Sequence, residues 1–248
     1  MNGLTVDEVT KRYGRFTALG GISFTVEQGS CLGVVGPNGA GKSTLFAIIA
    51  GQIRPDSGSV LIDGTEVTRF GASKRATQGL SRTFQVARLF SSFTVNEAVV
   101  LACQRARRRG VLSRDPMRHR PLREKTRETL ELIRLENHGE RKVQALTQGE
   151  RKRLEFGMAM AQDPRVLVLD EPTAGMGRSD VETVMDVLSE TKRSKSDLTI
   201  LLSSHDMDVV FGLADRMVVM TQGTLLVEGD PREVANDQRV ADVYLGQR

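Results

Sequence analysis

The chain predicts an α/β fold, built as one α/β core with a helical insert rather than two domains in succession. Three observations lead there. Towards both ends short β-rich runs alternate with helical ones, the pattern of a mostly parallel sheet flanked by helices. The middle, about residues 87–160, is mostly helical by apolar periodicity. The 248 residues suffice for one large domain, or a core with a smaller insert, at an ordinary composition of 39% hydrophobic and 27% charged residues.

The elements follow in order. LTVDEV and ISFTVEQG are short β-rich runs around a turn at Tyr13-Gly14, which together predict an N-terminal antiparallel β-subdomain. CLGVVG (31–36) is a compact apolar strand, and the Gly-rich PNGAG after it opens into TLFAIIAGQI (44–53), a helix with an apolar stripe. VLIDG (60–64) reads as a strand ending in a turn. Residues 94–109, 120–136 and 148–162 read as helices. RVLVLDE (165–171) and TILLSSH (199–205) are buried strands, and VETVMDVLSETKRS between them is an amphipathic helix. RMVVMTQG and TLLVEGD form a hairpin. There is no internal repeat and no low-complexity tract.

Composition narrows the classes. There is no Trp and aromatics are 4%, which argues against a carbohydrate-binding or aromatic-cage module. Two cysteines, Cys31 and Cys103, give no framework of bridges and read as reduced packing residues, as in the cytosol. MNGLTVDEVT lacks the basic-then-apolar pattern of a secretory signal. No window approaches the roughly 20 apolar residues needed to span a bilayer, so the chain is expected to be cytoplasmic, with any membrane association made through a partner. The net charge of +4 is too small to imply nucleic acid, yet residues 104–127 hold ten Arg or Lys against two acidic residues. That run reads first as a solvated surface segment, with anionic lipid or nucleic acid as alternatives. It has no interleaved aromatics for base stacking.

Gly36-Pro37-Asn38-Gly39-Ala40-Gly41-Lys42-Ser43 fits G-x-x-x-x-G-K-[ST] between an apolar strand and a helix, the context the motif requires. Glycines let successive backbone N–H groups turn inward around phosphate oxygens, and the helix N-terminus adds positive potential. Lys42 reaches the β- and γ-phosphates, the Ser43 hydroxyl can ligate Mg²⁺, and Thr44 is a second hydroxyl donor. The expectation is a P-loop NTPase core that binds a nucleotide. VLVLDE then places Asp170 and Glu171 at the end of a buried strand. Asp170 is expected to hold Mg²⁺ directly or through water, and Glu171 to orient or deprotonate the attacking water. His205 ends another apolar strand and is expected to contact the γ-phosphate and support Glu171. No N-K-x-D run for guanine is present, so adenine is expected, stacked on Tyr13, 29 residues before Lys42, with Phe16 as the runner-up.

GPNGAGKST, RTFQ (82–85), ALTQGE (145–150), VLVLDEP and SSH occur in the order and at the spacing of the ATP-binding cassette (ABC) family of ATPases, which the chain resembles over essentially its whole length. The resemblance implies one nucleotide-binding domain over residues 1–248, with a RecA-like core and a helical subdomain inserted at 87–160. It implies Gln85 as the loop residue that senses Mg²⁺ and water and links to the transport partner. It further implies that two subunits sandwich two ATPs, each site pairing one subunit's phosphate loop with the other's signature.

That signature is usually L-S-G-G-Q. This chain keeps Leu146 and Gly149, puts Thr147 for Ser, Gln148 for Gly and Glu150 for Gln. Thr147 and Gly149 are expected to face a γ-phosphate. Glu150 adds a negative charge there unless it points away or pairs, with Arg151 and Arg153 the candidate partners. Thr147 can equally cap the helix as T-x-x-E. Gly177 stands where the family often has an Asp that couples the subunits; Asp180 is the nearby acid.

Within the family the chain looks most like the ATPases of high-affinity branched-chain amino-acid importers, through FQVARLFSSFTVNEAV, the basic helical insert, LLSSHDMDVV and VANDQRVADVYLG. It is also similar to urea and short-chain amide importers, through Ala174-Gly175-Met176. The resemblance implies an ATP-hydrolysing motor on the cytoplasmic face of the inner membrane. Its partners are a second ABC ATPase subunit, two membrane permeases and, indirectly, an extracytoplasmic substrate-binding protein. A soluble ABC ATPase acting on nucleic acid or the ribosome is the alternative class, favoured only by the basic run. A metabolic kinase leaves the signature unexplained.

Overall fold

The computed structural model describes residues 2–83, 91–106 and 119–245. Up to the middle of the chain the elements are β1 (Asn2–Tyr13), β2 (Phe16–Glu27), β3 (Cys31–Val35), α1 (Lys42–Ile49), β4 (Ser57–Ile62), β5 (Thr65–Glu66), α2 (Ala72–Thr77), β6 (Leu80–Arg82), α3 (Val95–Ala106) and α4 (Arg120–Leu132). There follow α5 (Gln148–Met160), β7 (Val166–Asp170), α6 (Arg178–Ser194), β8 (Thr199–Ser203), α7 (Met207–Leu213), β9 (Arg216–Thr221), β10 (Thr224–Gly229), α8 (Pro231–Ala235) and α9 (Gln238–Leu245). Short 3₁₀ turns at Glu136–His138 and Val143–Ala145 precede α5. The chain divides into two compact units, one within Met1–Arg82, Arg165–Glu171 and Lys195–Arg248, the other within Thr83–Pro164 and Pro172–Ser194.

The first unit holds both sheets found among the described residues. One is antiparallel, in the order β2-β1-β4-β5. The other runs β10-β9-β3-β8-β7-β6, parallel except for the edge strand β10. The sequences explain the difference. In β3, β7 and β8 every residue is buried and the sequences are close to continuously apolar, as suits strands covered on both faces. β1 instead mixes buried and exposed positions along its length. The turns match their chemistry. Asp63 (φ 47°) with Gly64 (φ 74°) joins β4 to β5, and Gln222 (φ 47°) with Gly223 (φ 77°) joins β9 to β10. Two successive positive φ angles suit the right-handed twist of a tight hairpin.

One buried cluster packs Leu45, Phe46, Ile48 and Ile49 of α1 with Leu4, Val6 and Val9 of β1 and with apolar residues of β3, β7, β8 and β9. Helix α1 is therefore apolar nearly all round and lies inside the unit. Its C-terminal carbonyls are met by a guanidinium. Arg75, fully buried, donates from Nη1 to Ile48 O (2.6 Å) and Ile49 O (2.7 Å), from Nη2 to Thr68 O (2.9 Å) and from Nε to Phe70 O (3.0 Å). Burial lowers its pKa to about 10.

The second unit is helical. α3, α4, α5 and α6 pack around Leu130, Ile133, Leu154 and Phe156 with Val184, Val187 and Leu188 of α6. α4 is amphipathic, burying Leu122, Thr126, Thr129 and Leu130 on one face. Gly157 permits close packing of α5, because a Cβ there would stand 2.7 Å from Ile133 Cδ1. The core of the basic run, residues 107–118, lies outside the described residues, as does Gln85.

Candidate functional site

Three parallel strands of the first unit, β3, β8 and β7, lie side by side and end together. Val34 and Asp170 both stand in register with Ser203. The phosphate-loop sequence, the Asp-Glu pair and the Ser-Ser-His run leave the sheet at these carboxyl ends, where open α/β sheets bind their ligands.

Gly36 to Gly41 connect β3 to α1. Gly36 (φ 146°) and Gly41 (φ 100°) occupy backbone conformations that L side chains rarely adopt. A Cβ at Gly36 would collide with the Met220 carbonyl, and one at Gly41 would lie 2.6 Å from Ala18 O. The hairpin after β9 supports the loop, as Gly223 N donates to Ala40 O at 3.1 Å. Lys42 is 9% exposed, and its Nζ donates back to Gly36 O (2.5 Å) and Pro37 O (3.0 Å). Burial pushes its pKa below the ordinary lysine value, opposed by the charges of Glu171 and Asp170. Ser43 is exposed and Thr44 half-buried at the start of α1, while Asn38 and Gly39 are exposed at the loop tip.

Asp170 is buried. Its Oδ1 accepts from Ser203 Oγ and its Oδ2 from Arg82 Nη2, each at 2.7 Å. Arg82 also donates from Nη1 to Gln52 Oε1 at 2.7 Å. Glu171 has φ 52°, a left-handed conformation that costs a non-Gly residue on the order of 1–3 kcal/mol. Three contacts hold it there. Its N–H donates to Ser203 O (3.0 Å), its Oε2 accepts from His205 N (3.3 Å), and its Oε1 lies 3.2 Å from His205 Nε2. The strand ends thus bring Lys42, Asp170, Glu171 and His205 together. Arg82 and Ser203 are partners that sequence reading left without a role, although both stand inside the RTFQ and SSH runs. Tyr13 and Phe16 are among the most exposed large apolar residues of the unit, at 48% and 63%. Lys11 Nζ lies 5.7 Å from the Tyr13 ring centre.

In the second unit, Thr147 is the N-cap of α5. Its Oγ1 accepts from Glu150 N (3.2 Å), and Glu150 Oε2 accepts from Thr147 N (2.7 Å), a reciprocal capping box. Thr147 and Gln148 are exposed. Gln148 Nε2 donates to Ala174 O at 3.2 Å. Gly149 is buried against the Asp180 side chain, with no room for a Cβ. The expected partners of Glu150 are corrected by the structure. Arg151 Nη2 donates to Gln144 O and Arg153 Nη1 to the carbonyls of Ile133 and Arg134. Glu150 Oε1 pairs instead with His138 Nε2 (3.0 Å) and Arg141 Nη1 (3.3 Å). Burial raises the Glu150 pKa, but the Thr147 N–H and the charges of Arg141, His138 and Arg153 outweigh that and leave it lowered.

The family model described as ABC transporter matches residues 19–174. The chain belongs to the ABC transporter family. It has the α/β fold of that family's ATPases, and ATP is the nucleotide they bind and hydrolyse. A crystal structure of the ADP conformation of an ATP-binding cassette of an ABC transporter aligns at a TM-score of 0.87 and 29% identity, covering 99% of each chain. The high-affinity branched-chain amino acid transport ATP-binding protein BraF of Pseudomonas aeruginosa is 33% identical over 250 residues, 98% of each chain. The lipopolysaccharide export system ATP-binding protein LptB of Haemophilus influenzae is 29% identical, over 100% of this chain and 99% of its own. Among the described residues, no helix of this ABC ATPase is long and apolar enough to cross a membrane.

Proposed function

We propose that this ABC ATPase drives an importer for branched-chain or other hydrophobic amino acids, and that ATP closes a pair of such subunits to move two membrane permeases. One observation carries the substrate class: 33% identity to a branched-chain amino acid transport ATP-binding protein over 98% of both chains. The subunit sits on the cytoplasmic face of the inner membrane and receives substrate indirectly from an extracytoplasmic binding protein. Only a γ-phosphate that bridges both subunits distinguishes closed from open, so ATP shifts that equilibrium where ADP does not.

In this reading Tyr13 stacks on adenine, and the N–H groups of Gly36 to Gly41 surround the phosphates. Lys42 exchanges its two loop carbonyls for β- and γ-phosphate oxygens, and Thr44 adds a hydroxyl. Ser43 and Asp170 would hold Mg²⁺, which would supply positive charge at the phosphates, with Gln85 as the further ligand and sensor that the family resemblance implies. The donor set fits that ion. Each Asp170 oxygen accepts one hydrogen bond and retains an acceptor position. Among the described residues no cluster of three His, Cys, Asp or Glu forms a protein-only cage, as suits an ion that arrives with phosphates and water. Glu171 orients the attacking water and accepts its proton, and His205 steadies Glu171 and meets the γ-phosphate. Thr147 and Gly149 face the ATP of the second subunit.

Two other transport readings have support. Similarity to the LptB export protein over the whole chain favours lipopolysaccharide export, and Ala174-Gly175-Met176 favours urea or a short-chain amide. A pull-down separates them. A tagged Glu171→Gln subunit is recovered from native membranes solubilised with ATP, and its companions are identified by mass spectrometry. Two multi-span permeases and a binding protein that takes a hydrophobic amino acid are expected. A binding protein selective for urea or amide changes the substrate, and lipopolysaccharide-export components change the direction. Ribosomal or DNA-repair partners without a membrane protein overturn the transporter role.

A further inference from the structure

The position of Glu150 raises a problem that the structure answers. The usual family pattern has a neutral Gln there, while this chain places a carboxylate in the first turn of α5, next to the groups expected to face phosphate. A negative charge suits a helix N-terminus but repels a phosphate brought to it. The Glu150 side chain is only 13% exposed, so solvent does little to screen it.

We propose that Arg141, assisted by His138, is a positioning residue for ATP-driven pairing: it turns the Glu150 carboxylate onto Thr147 N and cancels its charge, leaving the exposed end of α5 able to receive a phosphate. This rests on the reading that the segment meets the ATP of a second subunit. The geometry is built rather than incidental. Arg141 Nη2 is itself anchored on Ala145 O at 2.7 Å, so the guanidinium spans the approach to α5. The turn that carries it is pinned to the start of α3. Val95 N donates to Arg141 O (3.0 Å), Asn96 N to Gly139 O (2.9 Å), and Val143 N to Phe93 O (2.9 Å). Of the basic residues on α5 itself, Arg151 and Arg153 commit their guanidinium groups to backbone carbonyls, and Lys152 lies against Glu155. The side chains in direct contact with the carboxylate therefore come from the preceding turn. The Arg141 side chain is 41% exposed, but the Glu150 carboxylate it meets is largely buried, so removing the arginine strands that charge whereas removing both is mild.

The test uses the Glu171→Gln chain, in which dimerisation is followed by sedimentation across an ATP titration. Adding Arg141→Gln is expected to raise the ATP concentration for half-maximal dimerisation by about tenfold. ATP affinity of the monomer should stay unchanged, and rescue by Glu150→Gln is what separates a lost charge balance from simple unfolding of the turn. Adding Glu150→Gln to that variant is expected to restore pairing to within about twofold, and Arg141→Lys, which keeps the charge, to retain most of it. If Arg141→Gln leaves pairing untouched, or if Glu150→Gln fails to rescue it, the inference is overturned while the pairing itself stands. If Glu171→Gln forms no ATP-driven dimer at all, the pairing reading fails and this inference fails with it.

Discussion

The strand ends of the first unit and the N-terminus of α5 in the second, both proposed to meet phosphate, are built in opposite ways. At the strand ends the charged groups are buried and cross-linked. Asp170 is held by Ser203 and Arg82, Glu171 by His205 and the Ser203 carbonyl, and Lys42 by its own loop. At α5 the Thr147 and Gln148 side chains are exposed, and order comes from a capping box and a short ion network. On the proposed roles, the groups that would carry out chemistry are fixed before the nucleotide arrives, which lowers the reorganisation required during reaction. Those proposed to recognise a partner stay at the surface, where docking would remove them from water.

That contrast ranks the consequences of substitution. Lys42→Ala removes the ammonium that donates to the phosphate-loop carbonyls of Gly36 and Pro37. It should reduce ATP affinity by two orders of magnitude or more, about 3 kcal/mol or above, and abolish turnover. Calorimetric titration checks this, and wild-type affinity would remove Lys42 from the site. Gly149→Ala places a methyl group against the Asp180 side chain. It should cost roughly 1–3 kcal/mol of stability and weaken ATP-driven pairing, with nucleotide affinity at the strand ends preserved. Unfolding in denaturant alongside ATP binding measures both, and a loss confined to nucleotide affinity would erase the contrast.

The smallest effect concerns pH. The folded-state pKa of Glu150 is lowered below the ordinary 4.5. Its contribution to stability is therefore full above about 4.5, the unfolded value, and is lost as pH falls through the folded value. The stability difference between wild type and Glu150→Gln should shrink as pH falls below 4.5. A difference that grows as pH falls below 4.5 would mean the carboxylate is not paired as described.

The sequence shows the strand ends well because their chemistry is local. Apolar runs break at Gly36, Asp170 and Ser203, and a phosphate loop needs no distant residue to be recognised. The T-x-x-E cap at Thr147 was equally legible, since its partners are three residues apart. What escaped reading is long-range. Arg82 meets Asp170 across 88 positions, and the RTFQ run that contains it gives no sign of that partner. Arg141 reaches Glu150 through an irregular turn with no periodicity, so proximity in sequence favoured Arg151 and Arg153 instead. The left-handed backbone of Glu171 was also hidden, because contacts with Ser203 and His205 impose it against the residue's own preference.

Arg75 shows how the buried end of the phosphate-loop helix responds to solution conditions. Its guanidinium rests on four backbone carbonyls, and among the described residues no carboxylate pairs with it. Mobile ions weaken contacts between exposed charges and barely reach a buried charge lying on fixed dipoles. Brine should therefore loosen exposed pairs such as Arg120 with Glu124 long before it disturbs the far end of α1. The anchor of the helix that carries Lys42 is in this sense indifferent to salt.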